Sequence, residues 1–161
     1  MITVSQNKTR IAMLTPSSNS VVEPYCYKIV SSIENTSVHF SRVEVLKIDN
    51  GEESLSQFKD ENMLRGFDLL SHVRPDVIGW NGTSASWLGL NRDRVLIDEI
   101  SRRTGCPAVT STLSIIRALR ALKIKNIGLV TPYLDSIQHK IIQNFTMENF
   151  NCVSERHFNM T

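Results

Sequence analysis

Three short segments hold most of the side chains that could act on a small molecule. They are Thr15-Pro16-Ser17-Ser18-Asn19-Ser20, Asn81-Gly82-Thr83-Ser84-Ala85-Ser86 and Thr131-Pro132-Tyr133-Leu134-Asp135. All are rich in hydroxyl, amide or small residues, and none contains Lys or Arg. Neutral O–H and N–H donors of this kind suit an oxyanion, and main-chain N–H groups at a helix start add to them. Gly82 lets a ligand approach the main chain closely, with the hydroxyls of Thr83 and Ser84 beside it. Tyr133 adds a phenol that can donate a hydrogen bond or serve as an acid. Without cationic side chains, the loops favour a small carboxylate held by neutral donors over a polyphosphate. The competing reading is structural, since Ser18, Asn19, Ser84 and Asp135 also stand where residues cap helices.

Other chemistries lack their residues. There is no GxGxxG, GxxxxGK[ST] or GxSxG, so dinucleotide, nucleoside-triphosphate and serine-hydrolase readings are without support. Cys26, Cys106 and Cys152 are widely spaced with no CxxC pair, and the four histidines are not clustered, which argues against a zinc site or a disulfide scaffold. We expect ordinary burial for each of the three thiols. The charge is nearly balanced, 18 Lys+Arg against 16 Asp+Glu, and a net +2 is too small to bind nucleic acid. No apolar stretch approaches the roughly 20 residues of a membrane span. The N-terminus lacks a hydrophobic signal core, so a cytoplasmic protein is expected.

The elements that would position these loops alternate. Residues 10–14 read as a buried strand entering the first loop, and 21–33 as a helix with Pro24 in its first turn. A second strand is expected over 38–45 and a second helix over 53–73, the latter carrying Leu55, Phe58, Met63, Leu64, Phe67, Leu69 and Leu70. Residues 76–80 form a third strand that empties into the glycine loop, with Trp80 and Trp87 packing on either side of it. A helix over 90–104 stops at Gly105; a strand at 107–109 and a helix to about 122 follow. Strands alternating with helices define an α/β class with a mostly parallel sheet.

The sequence also repeats itself. Arg10-Ile11-Ala12-Met13-Leu14-Thr15-Pro16 and the residues to Ser20 match Asn126-Ile127-Gly128-Leu129-Val130-Thr131-Pro132 and the residues to Ser136, without a gap. Each copy is an apolar strand, then Thr-Pro, then Asn or Asp before Ser, then a helix. Residues 152–158 fall where the first copy has its second strand. The expected organisation is a tail over 1–9, a first α/β domain with connecting helix over 10–122, and the start of a second, similar α/β domain over 123–161. A lone βαβ unit of this kind leaves a sheet face and edge uncovered, so either a continuation or a partner, such as a second copy in a homo-oligomer, is expected to complete it.

These residues together resemble the aspartate/glutamate racemase superfamily, in its branch of maleate cis-trans isomerases and arylmalonate decarboxylases. The matching stretches are Thr15–Asn19, Pro75–Ser84, Thr110–Leu113, Ile127–Tyr133 and Glu155-Arg156-His157, in order along nearly the whole chain. The resemblance implies flavodoxin-like parallel sheets with helices on both faces, two such domains about a pseudo-dyad, and a substrate between them. It implies no cofactor and no metal. By the same resemblance Ser18, Asn19, Gly82, Thr83, Ser84 and Tyr133 surround the substrate carboxylate, and the donors among them stabilise an enediolate-like intermediate. Racemases and maleate isomerases of this group carry a first catalytic Cys at the position of Gly82. Arylmalonate-type decarboxylases have glycine there and use only a second Cys, whose place would fall beyond residue 161. Neither family Cys position is filled here, so no catalytic residue is assigned. Two readings follow: the front portion of a cofactor-independent isomerase, racemase or decarboxylase, or a carboxylate-binding pseudoenzyme. A receiver-like signalling domain would need acidic residues clustered at the strand ends, and these loops are almost uncharged.

Overall fold

A computed structural model of the chain describes residues 8–46 and 60–160. The first strand, β1 (Thr9–Pro16), is followed by helix α1 (Val22–Val30), β2 (Thr36–Val43), α2 (Asp60–Ser71) and β3 (Val77–Trp80). A four-residue helix α3 (Ala85–Leu88) then leads to α4 (Leu90–Thr104), β4 (Ala108–Thr110) and α5 (Ser111–Ala121). The chain continues through β5 (Asn126–Thr131), α6 (Asp135–Met147) and β6 (Asn151–His157). The fold is α/β, as the alternating pattern predicts.

β1 to β4 form one sheet in the order β2-β1-β3-β4, every pair parallel. The apolar run of β1 places it centrally, with Ala12 and Leu14 fully buried. The chain leaves β1 toward β2 and then crosses back to β3, so the strand order reverses between β1 and β3. Right-handed crossovers consequently put α1 on one face and α2 and α4 on the other. The crevice beyond the carboxyl ends of β1 and β3 is where such sheets bind ligands, and the first two hydroxyl-rich loops leave from those ends.

β5 and β6 form a second, two-stranded parallel sheet, with a register irregularity between Ile127 and Gly128. Its strand-helix-strand order is that of β1-α1-β2, as the sequence repeat requires. Helix α6 buries Ile137, Ile141 and Phe145 in the same apolar core as Leu14, Ile78, Phe67 and Trp87. Asn144 Nδ2 also donates to the Ser86 carbonyl across 2.8 Å, tying α6 to α3.

Several expectations shift. The first strand runs on through Thr15 and Pro16, and the second lies two residues earlier than its alternation suggested. The glycine loop is cut short by α3, which ends at Gly89, where φ 107 and ψ 132 turn the chain directly into α4. That backbone conformation is open to glycine and strained for other residues. Gly105 caps α4 in the left-handed region, φ 68, as expected. The predicted beginning of the second helix, with Leu55 and Phe58, lies outside the described residues. Of the three thiols only Cys106 is buried, bonded to the Pro75 carbonyl; Cys26 and Cys152 are half-buried. No helix among the described residues is long and apolar enough to cross a membrane.

Candidate functional site

A cavity of about 550 Å³ opens at the carboxyl ends of the strands, and Ser18, Asn19, Gly82, Thr83, Ser84 and Tyr133 all line it. The three loops separated in sequence therefore meet in space. The remaining wall includes Trp80, Asn81, Trp87, Ser111 and Met160, and none of the lining residues among those described is Asp, Glu, Lys, Arg or His. A ligand there meets neutral donors and apolar surface.

The first loop is held rigidly. Asn19 Oδ1 accepts from the N–H groups of Val21 and Val22, 2.9 Å each, and so caps α1. That pairing fixes the orientation of the amide and leaves its N–H₂ group without a partner among the described residues. Ser18 Oγ donates to the Val45 carbonyl at 2.7 Å, which commits its proton elsewhere. Arg42, at the end of β2 opposite Thr15, donates to the carbonyls of Ser17 (2.7 Å) and Asn19 (3.0 Å) and pairs with Glu23 at 2.9 Å. Inspection of the loops alone misses Arg42; the parallel register is what brings it there.

The second loop carries uncommitted hydroxyls. Ser84 is 4% exposed and precedes α3, yet its side chain makes no capping bond. Its carbonyl instead accepts from Trp87 and Leu88, while Ser86 Oγ donates to the Thr83 carbonyl at 2.7 Å. The hydroxyls of Thr83 and Ser84 have no partner among the described residues. With only four residues, α3 contributes little dipole, so these hydroxyls carry the site's polarity. Asn81 Oδ1 accepts from Ser111 Oγ at 3.1 Å, placing the start of α5 on the cavity wall.

The third loop adds Tyr133, half-buried, with its hydroxyl unpaired among the described residues and its ring packed on Trp87. The Glu155-Arg156-His157 stretch supports this loop from behind. Thr131 Oγ1 donates to Gln138 Oε1 (2.7 Å), Gln138 Nε2 donates to Glu155 Oε2 (2.8 Å), and His157 Nδ1 lies 3.0 Å from the same oxygen. Those bonds hold the Glu155 carboxyl below its usual range, His157 first and Gln138 second. Gln138 escaped the sequence reading because both its partners come from strands. Cys26, Cys106 and Cys152 do not line the cavity.

The model of the arylmalonate decarboxylase family matches residues 53–161. The chain belongs to the arylmalonate decarboxylase family. It is also similar to a maleate isomerase of Pseudomonas putida, 26% identical over 152 residues, which are 88% of this chain and 60% of that protein. Among solved structures it resembles a Nocardia farcinica maleate cis-trans isomerase, a cysteine-to-serine mutant carrying a covalently bound succinylcysteine intermediate. The TM-score is 0.84 at 22% identity, covering 94% of this chain and 64% of the other. Unliganded arylmalonate decarboxylase gives a TM-score of 0.71 at 20% identity, with 96% and 63% covered. These structural likenesses establish the fold. The chain spans about 60% of the length of the curated family relative.

Proposed function

We propose that this chain carries the carboxylate-binding portion of a cofactor-independent isomerase, racemase or decarboxylase acting on a small carboxylic or dicarboxylic acid. The observation that supports the reading is the convergence of Thr83, Ser84 and Tyr133, whose hydroxyls have no partner among the described residues, and the Asn19 amide on one cavity that no charged side chain among the described residues lines. Such donors stabilise a carboxylate and the enediolate-like charge that develops when a proton or carbon dioxide leaves the adjacent carbon. Residues 10–122 act as the first α/β domain and 123–161 as the start of a second. The protein works in the cytoplasm without metal or cofactor, and it self-associates.

The second reading is a binding module without catalysis. Gly82 and the position of all three thiols outside the cavity favour it, because among the described residues the only proton donor-acceptor of suitable strength on the wall is the Tyr133 phenol.

Thermal unfolding with maleate and phenylmalonate tests the shared core of both. Each neutral hydrogen bond contributes about 0.5–1.5 kcal/mol, so millimolar ligand is expected to raise Tm by a measurable amount, and Ser84→Ala to abolish most of that gain. No shift with either acid in folded protein would remove the carboxylate site. Assay of racemisation, isomerisation and decarboxylation on the same samples separates the two readings.

A further inference from the structure

We propose that His157 is a positioning residue whose protonation sets how firmly the Tyr133 loop is held, so that the carboxylate site tightens as pH falls. The inference adds regulation to the proposed function and rests on that reading only for the ligand. It starts from the sequence repeat, which makes Thr131, Asp135 and His139 the counterparts of Thr15, Asn19 and Glu23.

In the first copy the strand register sets Arg42 of β2 opposite Thr15, and its guanidinium holds the loop at the Asn19 carbonyl and pairs with Glu23 on α1. In the second copy His157 of β6 stands opposite Thr131, the same place in the sheet. A register shift puts it there. Ile127 faces Cys152 but Gly128 faces Ser154, so β6 holds one extra residue. Without that bulge Thr131 would face Arg156, and a permanent cation would stand where Arg42 does. A bulge re-aims the side chains beyond it, and here it exchanges a guanidinium for an imidazole. Arg156 instead lies over the Phe158 ring, 6.0 Å from its centroid.

The imidazole is 18% exposed and set between two carboxylates, with Nδ1 3.0 Å from Glu155 Oε2 and Nε2 at an ion-pair distance of 3.6 Å from Asp135 Oδ1. His139 on α6 reaches the same Asp135 oxygen with Nδ1 at 3.2 Å. Glu155 on its own strand, with Asp135 and His139 on α6, are thus the titratable groups around it, and β5 presents the neutral Thr131. A neutral imidazole carries one N–H and serves one carboxylate, whereas the imidazolium donates toward both. Asp135 stands two residues after Tyr133, and Asn159 clasps the pair, accepting from the Asp135 N–H (3.2 Å) and donating to the Tyr133 carbonyl (3.1 Å). A hold on Asp135 is therefore a hold on Tyr133. On losing its proton the ring keeps the nearer Glu155 and lets go of Asp135, while the first loop keeps its guanidinium at every pH.

The test is a titration over about pH 5 to 8, where imidazoles exchange their proton, on the unmodified chain, His157→Gln, His157→Arg and His139→Gln. Without ligand, NMR follows the amides of Tyr133 and Asp135 beside the two imidazole rings. These amides are expected to shift with the midpoint of the His157 ring in the unmodified chain and in His139→Gln, and to stay flat in both His157 variants. Isothermal titration with maleate then reads binding, and the ligand's own protonation cancels in the ratio of Kd values between variants. The unmodified chain should bind about two- to fivefold tighter than His157→Gln at the acid end, the worth of a partly exposed ion pair, and equally at the basic end. His157→Arg, which restores the cation that Arg42 supplies in the first copy, should keep the tighter binding throughout. Amides that follow the His139 ring, or stay still while His157 titrates, would overturn the inference, as would identical pH profiles of binding for the unmodified chain and His157→Gln. If maleate binds no variant at any pH, the carboxylate reading falls, and the amide titration still decides the role of His157.

Discussion

The ring of Trp87 on α3 lies against that of Tyr133 on the β5–α6 loop, centroids 5.1 Å apart and planes inclined by 56°. The pair joins two of the three loops around the cavity, and it sets the position of the Tyr133 hydroxyl through the packing of its ring. Tilted aromatic pairs of this kind contribute about 0.5–1.5 kcal/mol beyond their buried area.

Tyr133 can therefore be separated into a ring and a hydroxyl. Tyr133→Phe is expected to leave the melting temperature nearly unchanged and to weaken maleate binding by about 0.5–1.5 kcal/mol, several-fold in Kd. Tyr133→Ala should lose both stability and binding. Isothermal titration beside thermal melts reads the two effects, and unaltered affinity in the phenylalanine variant would take the hydroxyl out of the site.

Asn19 serves α1 through its oxygen, while its nitrogen has no partner among the described residues and on the proposed reading is a donor to the ligand. Asn19→Asp retains an acceptor for the Val21 and Val22 N–H groups and puts favourable charge at the helix start. It removes the donors and repels an anion. We expect unchanged or higher stability with at least about tenfold weaker dicarboxylate binding, whereas Asn19→Ala should cost about 0.5–2 kcal/mol of stability. An Asp variant that still binds maleate normally would show that Asn19 is a cap and nothing more.

Asp93 introduces a pH dependence. It is 2% exposed on the first turn of α4, with Oδ2 unpaired. Burial pushes its carboxyl above the ordinary range, against the opposing effects of a Thr110 hydrogen bond and the Arg92 charge. A carboxyl raised in the folded state adds stability that is complete below the unfolded value and lost as pH rises through the folded value. Ionisation of this buried carboxyl is a burden on the fold. Asp93→Asn should raise Tm near pH 7 and flatten its pH dependence above about pH 4; melts across that range that show the variant less stable at neutral pH would refute the assignment.

The strands β1, β3 and β5 were legible because their apolar runs are uninterrupted and end in turn residues, and the same signal exposed the repeat. The three loops were legible for the same reason, as hydroxyl-rich segments at strand ends. What could not be seen is what the fold brings in from elsewhere. Helix α3 has too few residues to show a period. Arg42 reaches the first loop through a strand register that composition does not reveal. Gly82 reads locally as a point of ligand approach, and only the three-dimensional position of Trp80 shows that it makes room for a ring. The sequence marks 21–33 as a helix but does not show that Tyr25 and Ile29 on α1 are 62 and 61% exposed.

Arg42 binds the carbonyls of Ser17 and Asn19 together and anchors them to Glu23 on α1. The turn that presents Asn19 is consequently stiff before any ligand arrives. Binding need not freeze its torsions, and the free energy of contact appears as affinity instead of being consumed in ordering the loop. The same stiffness makes the site exacting. On the proposed reading, an acid whose carboxylate fails to meet the fixed amide finds no adjustable loop to follow it, and discrimination between acids is then written into a guanidinium outside the cavity wall.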